Sequence, residues 1–346
     1  MSAVLLKSLV LGGLGALVLA LMAWPKPELR ADTGPAVTVA SPSPIQRCMN
    51  MGGALEAEWE GYWGYTVRRE DLETLAATGF DTIRLPVRVS AYTGTAPPYT
   101  ISADLLARMD EIVGWATGLG LNIILDVHHY EALMETPGIE LPRLEAIWDQ
   151  LAAHYAGAPD TVMFEIINEP FGEMTPQLTN RTNEAILRRI RTTNPDRWVI
   201  LGTPLWGGLD GMLKLDPPED KRVIAGFHYY IPFDFTHQGA TWMEDAPPRG
   251  AVWGTFADEK ALQADFGKAA AWQRRTGVPI LVGEFGVLRS VDPAQRGPWT
   301  RAVREASERN GMGWCYWDWG TEFAAWDQQQ NDWVEPVRAA LLDTAP

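Results

Sequence analysis

The chain has 346 residues, with 29 Lys and Arg against 44 Asp and Glu and a formal net charge of −15. Hydrophobic residues make up 46% and charged residues 21%, ordinary globular usage that excludes a mainly disordered, collagenous or multispanning protein. The acidic balance argues against a basic face that grips nucleic acid or anionic lipid. The 2 Cys are too few for a disulfide scaffold or a Cys-rich zinc site. The 16 Trp stand out, and so many suggest aromatic platforms for a ligand.

The first segment, SLVLGGLGALVLALMAWP from Ser8 to Pro25, is uncharged and is flanked by Lys7, Lys26 and Arg30. It is short for a spanning helix, near the threshold of about 18 apolar residues. It also suits the apolar part of a secretory signal, with cleavage after Ala23. Residues 1–24 are therefore read as a signal peptide first and as a retained membrane anchor second. Residues 25–44 hold Pro25, Pro27, Pro35, Pro42 and Pro44 among Ala, Ser, Thr and Gly, the composition of a linker. Either reading places the remainder outside the cytoplasm, secreted or periplasmic, where disulfides persist.

Residues 45–346 show no composition shift or repeat and read as one domain, since α/β barrels often run to about 250 residues. Short apolar β-type runs lie at Arg47–Gly52, Thr82–Leu85, Asn122–Val127, Val162–Ile167, Trp198–Leu201, Val223–Phe227, Pro279–Gly283 and Gly313–Trp317. Helical spacing lies between them, as in DLETLAATG, ADLLARMDEIVGWATGLG, NEAILRRIRTTNP and residues 257–276. Gly79, Gly120 and Gly277 mark helix stops before strands. Eight strands alternating with helices predict a (β/α)8 TIM barrel. A doubly wound open sheet is the alternative, but no Gly-rich phosphate fingerprint follows the first strand.

In such a barrel the chemistry sits at the C-terminal ends of the strands. Arg84 ends the second run, and His128 and His129 follow the third. Asn168 and Glu169 end the fourth, His228 and Tyr230 the sixth, Glu284 the seventh, and Trp317 and Trp319 the eighth. A single Glu in such a place is usually a cap or a surface charge. Ionisable groups at the ends of several buried strands point to one convergent site. A metal site built from Asp126, His128, His129 and Glu131 is disfavoured, because strand neighbours point to opposite faces and no HExxH is present. A Ser–His–Asp hydrolase lacks its G-x-S-x-G.

Glu169 and Glu284 face each other across the expected barrel mouth. Two carboxylates flanking a bond are what glycoside hydrolysis needs. The nucleophile must stay ionised, and a nearby guanidinium lowers a carboxyl pKa. Arg84 and the Tyr230 hydroxyl are the candidates to hold Glu284. Asn168 is placed to meet a sugar hydroxyl, and Trp317 offers a flat face for a pyranose ring.

IRLP, ILDVHH, the Asn-Glu-Pro of IINEP, FHYY, LVGEFG and YWDW resemble glycoside hydrolase family 5, the cellulase-type family of clan A. MNMGGALEAEWEGYWG resembles that family's first-strand region, so the likeness runs from about residue 45 onward. It implies a retaining double displacement, with Glu169 as acid/base, Glu284 as nucleophile, and Arg84 and Tyr230 supporting the nucleophile. It further implies that His128, Asn168 and His228 line the subsite of the attacked sugar above Trp317. His128 is preferred to His129, and Trp317 to Trp314 and Trp319. The two Cys lie on the first and eighth strands, neighbours when a barrel closes, and a Cys48–Cys315 disulfide is expected. No cofactor or metal is implied.

Aromatics crowd three long connections: Trp59, Tyr62, Trp63 and Tyr65 after the first strand, then Phe233, Phe235, Trp242 and Trp253 after the sixth. Trp319, Phe323 and Trp326 follow the eighth. Loop packing accounts for half or more, and the others suit sugar subsites along a polymer. The expected substrate is soluble or amorphous β-1,4-glucan, cut by a monomeric endoglucanase. β-Mannan, xyloglucan and β-1,3-glucan are the alternatives, as are transglycosylation and, least favoured, a non-catalytic carbohydrate-binding barrel.

Overall fold

The structure is a computed structural model that describes residues 43–343. The leader, and all of the linker but its last two residues, lie outside these. Strands and helices alternate as β1 (Arg47–Asn50), α1 (Arg69–Ala77), β2 (Thr82–Val87), α2 (Ala103–Gly118), β3 (Asn122–Val127), α3 (Glu131–Glu135), α4 (Pro137–His154) and β4 (Val162–Glu165). They continue as α5 (Pro176–Arg191), β5 (Val199–Leu201), α6 (Leu209–Met212), β6 (Val223–His228), α7 (Phe233–Thr236), α8 (Phe256–Thr276), β7 (Ile280–Glu284), α9 (Pro293–Arg309) and β8 (Gly313–Tyr316). A two-stranded hairpin (Trp326–Asp327 with Asp332–Trp333) and α10 (Glu335–Leu342) follow. The strands close in order, each parallel to the next, with β1 paired to β8. This is the (β/α)8 barrel, with every strand where the sequence placed it.

Gly79, Gly120 and Gly277 end their helices at φ of 89°, 77° and 73°, a region that favours glycine. Helices α4 and α9 escaped the periodicity reading. Each starts on a proline and holds another inside, Pro142 and Pro298, residues that read as breakers.

The barrel interior is layered by the two-residue period of the strands. Its floor is a separate apolar cluster of Ile45, Cys48, Ile124, Met163, Trp198, Ile200, Ile224, Leu281 and Cys315. Two residues further along β1, β3 and β4, on the same face, stand Asn50, Asp126 and Glu165, all buried. Arg84 pairs in register with Asn50 and joins this polar layer. The larger apolar core fills the space between sheet and helices.

Cys48 and Cys315 face each other in the β1–β8 register and are disulfide-bonded across a separation of 267 residues. Among the described residues, no helix is long and apolar enough to cross a membrane.

The unfolded, unreduced protein should show no free thiol in a titration. A Cys48→Ser/Cys315→Ser variant should lose about 2–5 kcal/mol in denaturant unfolding, because its unfolded chain gains freedom.

Candidate active site

Arg84 stands at the centre of the polar layer with no solvent exposure. Its Nε and Nη2 donate to Glu165 at 2.7 and 2.9 Å. Its Nη1 donates to Asn50 Oδ1 at 2.9 Å and to Glu284 Oε1 at 2.8 Å. Nη2 also donates to Asn168 Oδ1 at 2.6 Å and lies 3.0 Å from Asp126. Burial works against the guanidinium charge, but Asp126, Glu165 and Glu284 outweigh it and raise the pKa further. Asn50 is itself fixed, donating to the carbonyls of Gly283 and Tyr316.

The same contacts settle a tautomer. Asn168 Oδ1 accepts from Arg84, so its amide nitrogen is the one that faces His128 Nε2, at 3.3 Å. His128 Nε2 must then accept, and the ring proton sits on Nδ1, donated to Asp126 at 2.5 Å. Burial, with His129, Arg84 and His228 nearby, keeps His128 neutral. His128 is thus the buried histidine of the pair. His129 takes a left-handed backbone, φ 44°, and turns toward Trp63. Both follow the end of β3, so strand alternation does not separate their rings, whose centroids are 4.5 Å apart. They point their nitrogens at different partners, Asp126 for one and the Glu56 carbonyl for the other.

A bulge aligns the reacting side. Phe227 pairs with Val282, but the next residue, His228, pairs with Glu284, leaving Gly283 as the extra residue. A Cβ on Gly283 would sit 3.1 Å from His228 Nε2, so the close approach suits a residue without one. His228 Nδ1 reaches Glu169 Oε1 at 2.6 Å and lies 3.5 Å from Glu284 Oε2. Burial opposes its protonation, yet Glu284 and the hydrogen bond with Glu169 prevail and raise its pKa. Gly207, at φ 67°, backs the same pair, and a Cβ there would press on His228 and Glu169.

Tyr230 donates its hydroxyl to Glu284 Oε2 at 2.9 Å. The Glu284 side chain is 6% exposed and that of Glu169 27%, so the first is enclosed and the second open to the mouth. Arg84 was expected to leave Glu284 with a depressed pKa. Instead burial, with Glu169 adding, lifts it above the usual carboxylate range. His228, Arg84 and the Tyr230 hydroxyl pull the other way without cancelling that rise. One oxygen from each carboxylate and a nitrogen of His228 lie within 4.8 Å of one another.

Trp317 is half-buried and lies parallel to His128, 5.7 Å between ring centroids and 7° between planes. Trp314 and Trp319 are fully buried in the core. The structure therefore gathers Arg84, His128, Asn168, Glu169, His228, Tyr230, Glu284 and Trp317 at one mouth. Asn50 and Glu165 were missed, and Asp126 had been weighed only as a metal ligand. Glu165 carried a signal, an acid inside the apolar run VMFEII. Of the loop aromatics, Trp59, Tyr62, Trp63, Phe233 and Trp242 are exposed, while Tyr65, Phe235, Trp319, Phe323 and Trp326 are buried packing. Trp206 went unnoticed; it is exposed and stacks on Phe171 at 3.6 Å, next to Gly207.

Residues 48–323 match the family model Cellulase (glycosyl hydrolase family 5). Endoglucanase H of Acetivibrio thermocellus is 33% identical over 271 residues, 78% of this chain. The chain spans only 29% of that relative's length. The solved endoglucanase Cel5A of Thermotoga maritima superposes with a TM-score of 0.83 at 37% identity, covering 86% of this chain and 96% of that one. Another structure of that enzyme holds mannotriose, with a TM-score of 0.84 at 36% identity, covering 86% and 97% of the two chains. A buried guanidinium among three acids, a His-bridged glutamate pair and a family match spanning most of the barrel agree: the chain belongs to the cellulase family, glycosyl hydrolase family 5.

Proposed function

We propose that this chain is an endo-β-1,4-glucanase that hydrolyses soluble or amorphous β-glucan with retention of configuration. The observation that carries the reading is the carboxylate pair. An oxygen of Glu169 lies within 4.8 Å of one of Glu284. Retaining glycosidases hold their carboxyls about 5–5.5 Å apart and inverting ones about 6.5–9.5 Å, so the spacing of this pair falls on the retaining side.

Glu169, open to the mouth, gives its proton to the glycosidic oxygen as the leaving sugar departs. Glu284 attacks the anomeric carbon and forms a glycosyl ester. Glu169, now a base, takes a proton from water, which attacks the same carbon and frees Glu284. His228 holds Glu169 in place. Arg84 and Tyr230 hold one oxygen each of Glu284, favouring its ionised form and fixing the angle of attack. His128 and Asn168 line the subsite of the attacked sugar, and Trp317 supplies its floor. Trp206, beside Gly207 and Glu169, marks the leaving-group side.

A neutral polymer suits a chain of net charge −15. β-1,4-Glucan is favoured by the names of the relatives. β-Mannan is the second reading, favoured by the mannotriose held by the related structure. Residues 1–24 serve as signal or anchor and residues 25–44 as linker, for a secreted or periplasmic monomer. The Cys48–Cys315 bond supports an oxidising compartment.

Reducing-sugar release should be highest on carboxymethyl cellulose and barley β-glucan. Activity on mannan, xyloglucan or β-1,3-glucan alone would replace the substrate. Glu284→Ala should lower turnover on the order of 10⁴-fold or more with the circular dichroism spectrum retained. Near wild-type activity would refute the nucleophile assignment. Glu169→Gln should cost about 10²–10⁴-fold on glucan and far less on aryl glycosides with good leaving groups. Equal losses on both would count against the acid role. Glu284 must be ionised to attack, so activity falls as pH drops through its pKa. Tyr230→Phe removes a donor that favours the ionised form, so the acid limb of kcat/KM should move to higher pH. A limb that stays put, or moves lower, contradicts this.

A further inference from the structure

The mechanism above gives no part to Glu165, yet more of Arg84 is bound to that residue than to the nucleophile. A guanidinium carries five N–H groups in one plane. In Arg84 the Nε–H and one Nη2–H go to the two oxygens of Glu165, at 2.7 and 2.9 Å. The other Nη2–H goes to Asn168 Oδ1, and the two on Nη1 go to Asn50 Oδ1 and Glu284 Oε1. All five are taken, and Asp126, 3.0 Å from Nη2, is left with a charge contact alone. Two parallel bonds along one edge stop the guanidinium from turning. The opposite corner, Nη1, then points where that edge directs it, at the nucleophile.

Glu165 is placed for this by its strand. It is the last residue of β4 and pairs in register with Asp126 of β3. Phe164 and Ile166 on either side lie in the apolar core between sheet and helices, so alternation turns Glu165 into the barrel. The space it shares with Asn168, Thr203 and His228 is a cavity of about 10 Å³, room for about one water molecule. Bulk solvent therefore does little to screen its charge.

Glu165 and Glu284 draw on one cation. Around Glu165 stand Arg84 of β2, Asp126 of β3 and, across the cavity, His228 of β6. The nucleophile faces Arg84, His228, Tyr230 beyond β6 and Glu169 beyond β4. We propose that Glu165 is a positioning residue whose carboxylate locks the Arg84 guanidinium in the plane that delivers Nη1 to Glu284, and whose charge competes with the nucleophile for that cation. This rests on the assignment of Glu284 as nucleophile in the glucanase reading above. Removing the Glu165 charge leaves more of the cation to Glu284 and takes a like charge away from it. Both effects favour the ionised nucleophile, the opposite of removing the Tyr230 donor.

The test is the pH dependence of kcat/KM on p-nitrophenyl cellobioside. Glu165→Gln should move the acid limb to lower pH by about half a unit or more. Glu165→Asp keeps the charge and shortens the reach, so its limb should stay within about 0.2 unit of wild type. Its kcat should fall about tenfold or more, with KM changed by less than about twofold. A buried acid with only a packing role would lower stability and leave the limb in place. A Glu165→Gln limb that stays or moves to higher pH, or a Glu165→Asp protein with wild-type kcat, would overturn the proposal. If Glu165→Gln does not fold, the Glu165→Asp result decides alone. The carbon-13 carboxyl signal of Glu284, assigned by its loss in Glu284→Gln, gives a readout without turnover. It should titrate at lower pH in Glu165→Gln than in wild type, and an unmoved or higher midpoint counts against the proposal. If the midpoint moves down while wild type cleaves neither glucan nor the aryl cellobioside, the glucanase reading fails and the role of Glu165 stands.

Discussion

A single buried cation organises this site. Arg84 has no contact with water, and its nitrogens reach Asn50, Asp126, Glu165, Asn168 and Glu284 at once. A guanidinium in a barrel interior is sustained only by the acids around it, and those acids are sustained only by it. The arrangement therefore behaves as a unit. It fixes one carboxylate oxygen of Glu284, orients Asn168, and through Asn168 sets the tautomer of His128. Removing one member leaves uncompensated charge at the level of the floor and disturbs the others, so their individual contributions will not add.

Position above this unit is set by small backbone features. The extra residue Gly283 moves Glu284 into line with His228, and Gly207 leaves room for the His228–Glu169 pair. These glycines help to set the spacing of the carboxylates. The contrast in burial between Glu284 and Glu169 follows from where each departs its strand. Glu284 is the last residue of β7, whereas Glu169 lies four residues beyond β4. One stays in the enclosed layer and the other reaches the mouth.

The architecture was legible in the sequence because eight strand runs recur with helical spacing between several of them, and three glycines mark where a helix stops before a strand. Residues at the strand ends were also legible, since charged groups there violate the apolar pattern. Glu165 and Asn50 were harder to see, because they lie within short apolar runs and acquire meaning only when barrel closure brings β1, β2 and β4 around Arg84. Proline hid α4 and α9, and packing rather than spacing separates exposed Trp59 from buried Trp319. The direction of the Glu284 shift also depended on closure. A guanidinium beside it can be inferred from the chain, but the depth of burial that outweighs it cannot.

The Cys48–Cys315 bond has a mechanical consequence. β1 is the first strand among the described residues, so tension arriving along the chain before it enters the barrel there. Hydrogen bonds to β2 and β8 would be peeled in turn if they alone carried the load. The covalent clasp instead shunts the pull into β8, on the far side of the seam, and the barrel resists as a hoop rather than as a row of separable staves.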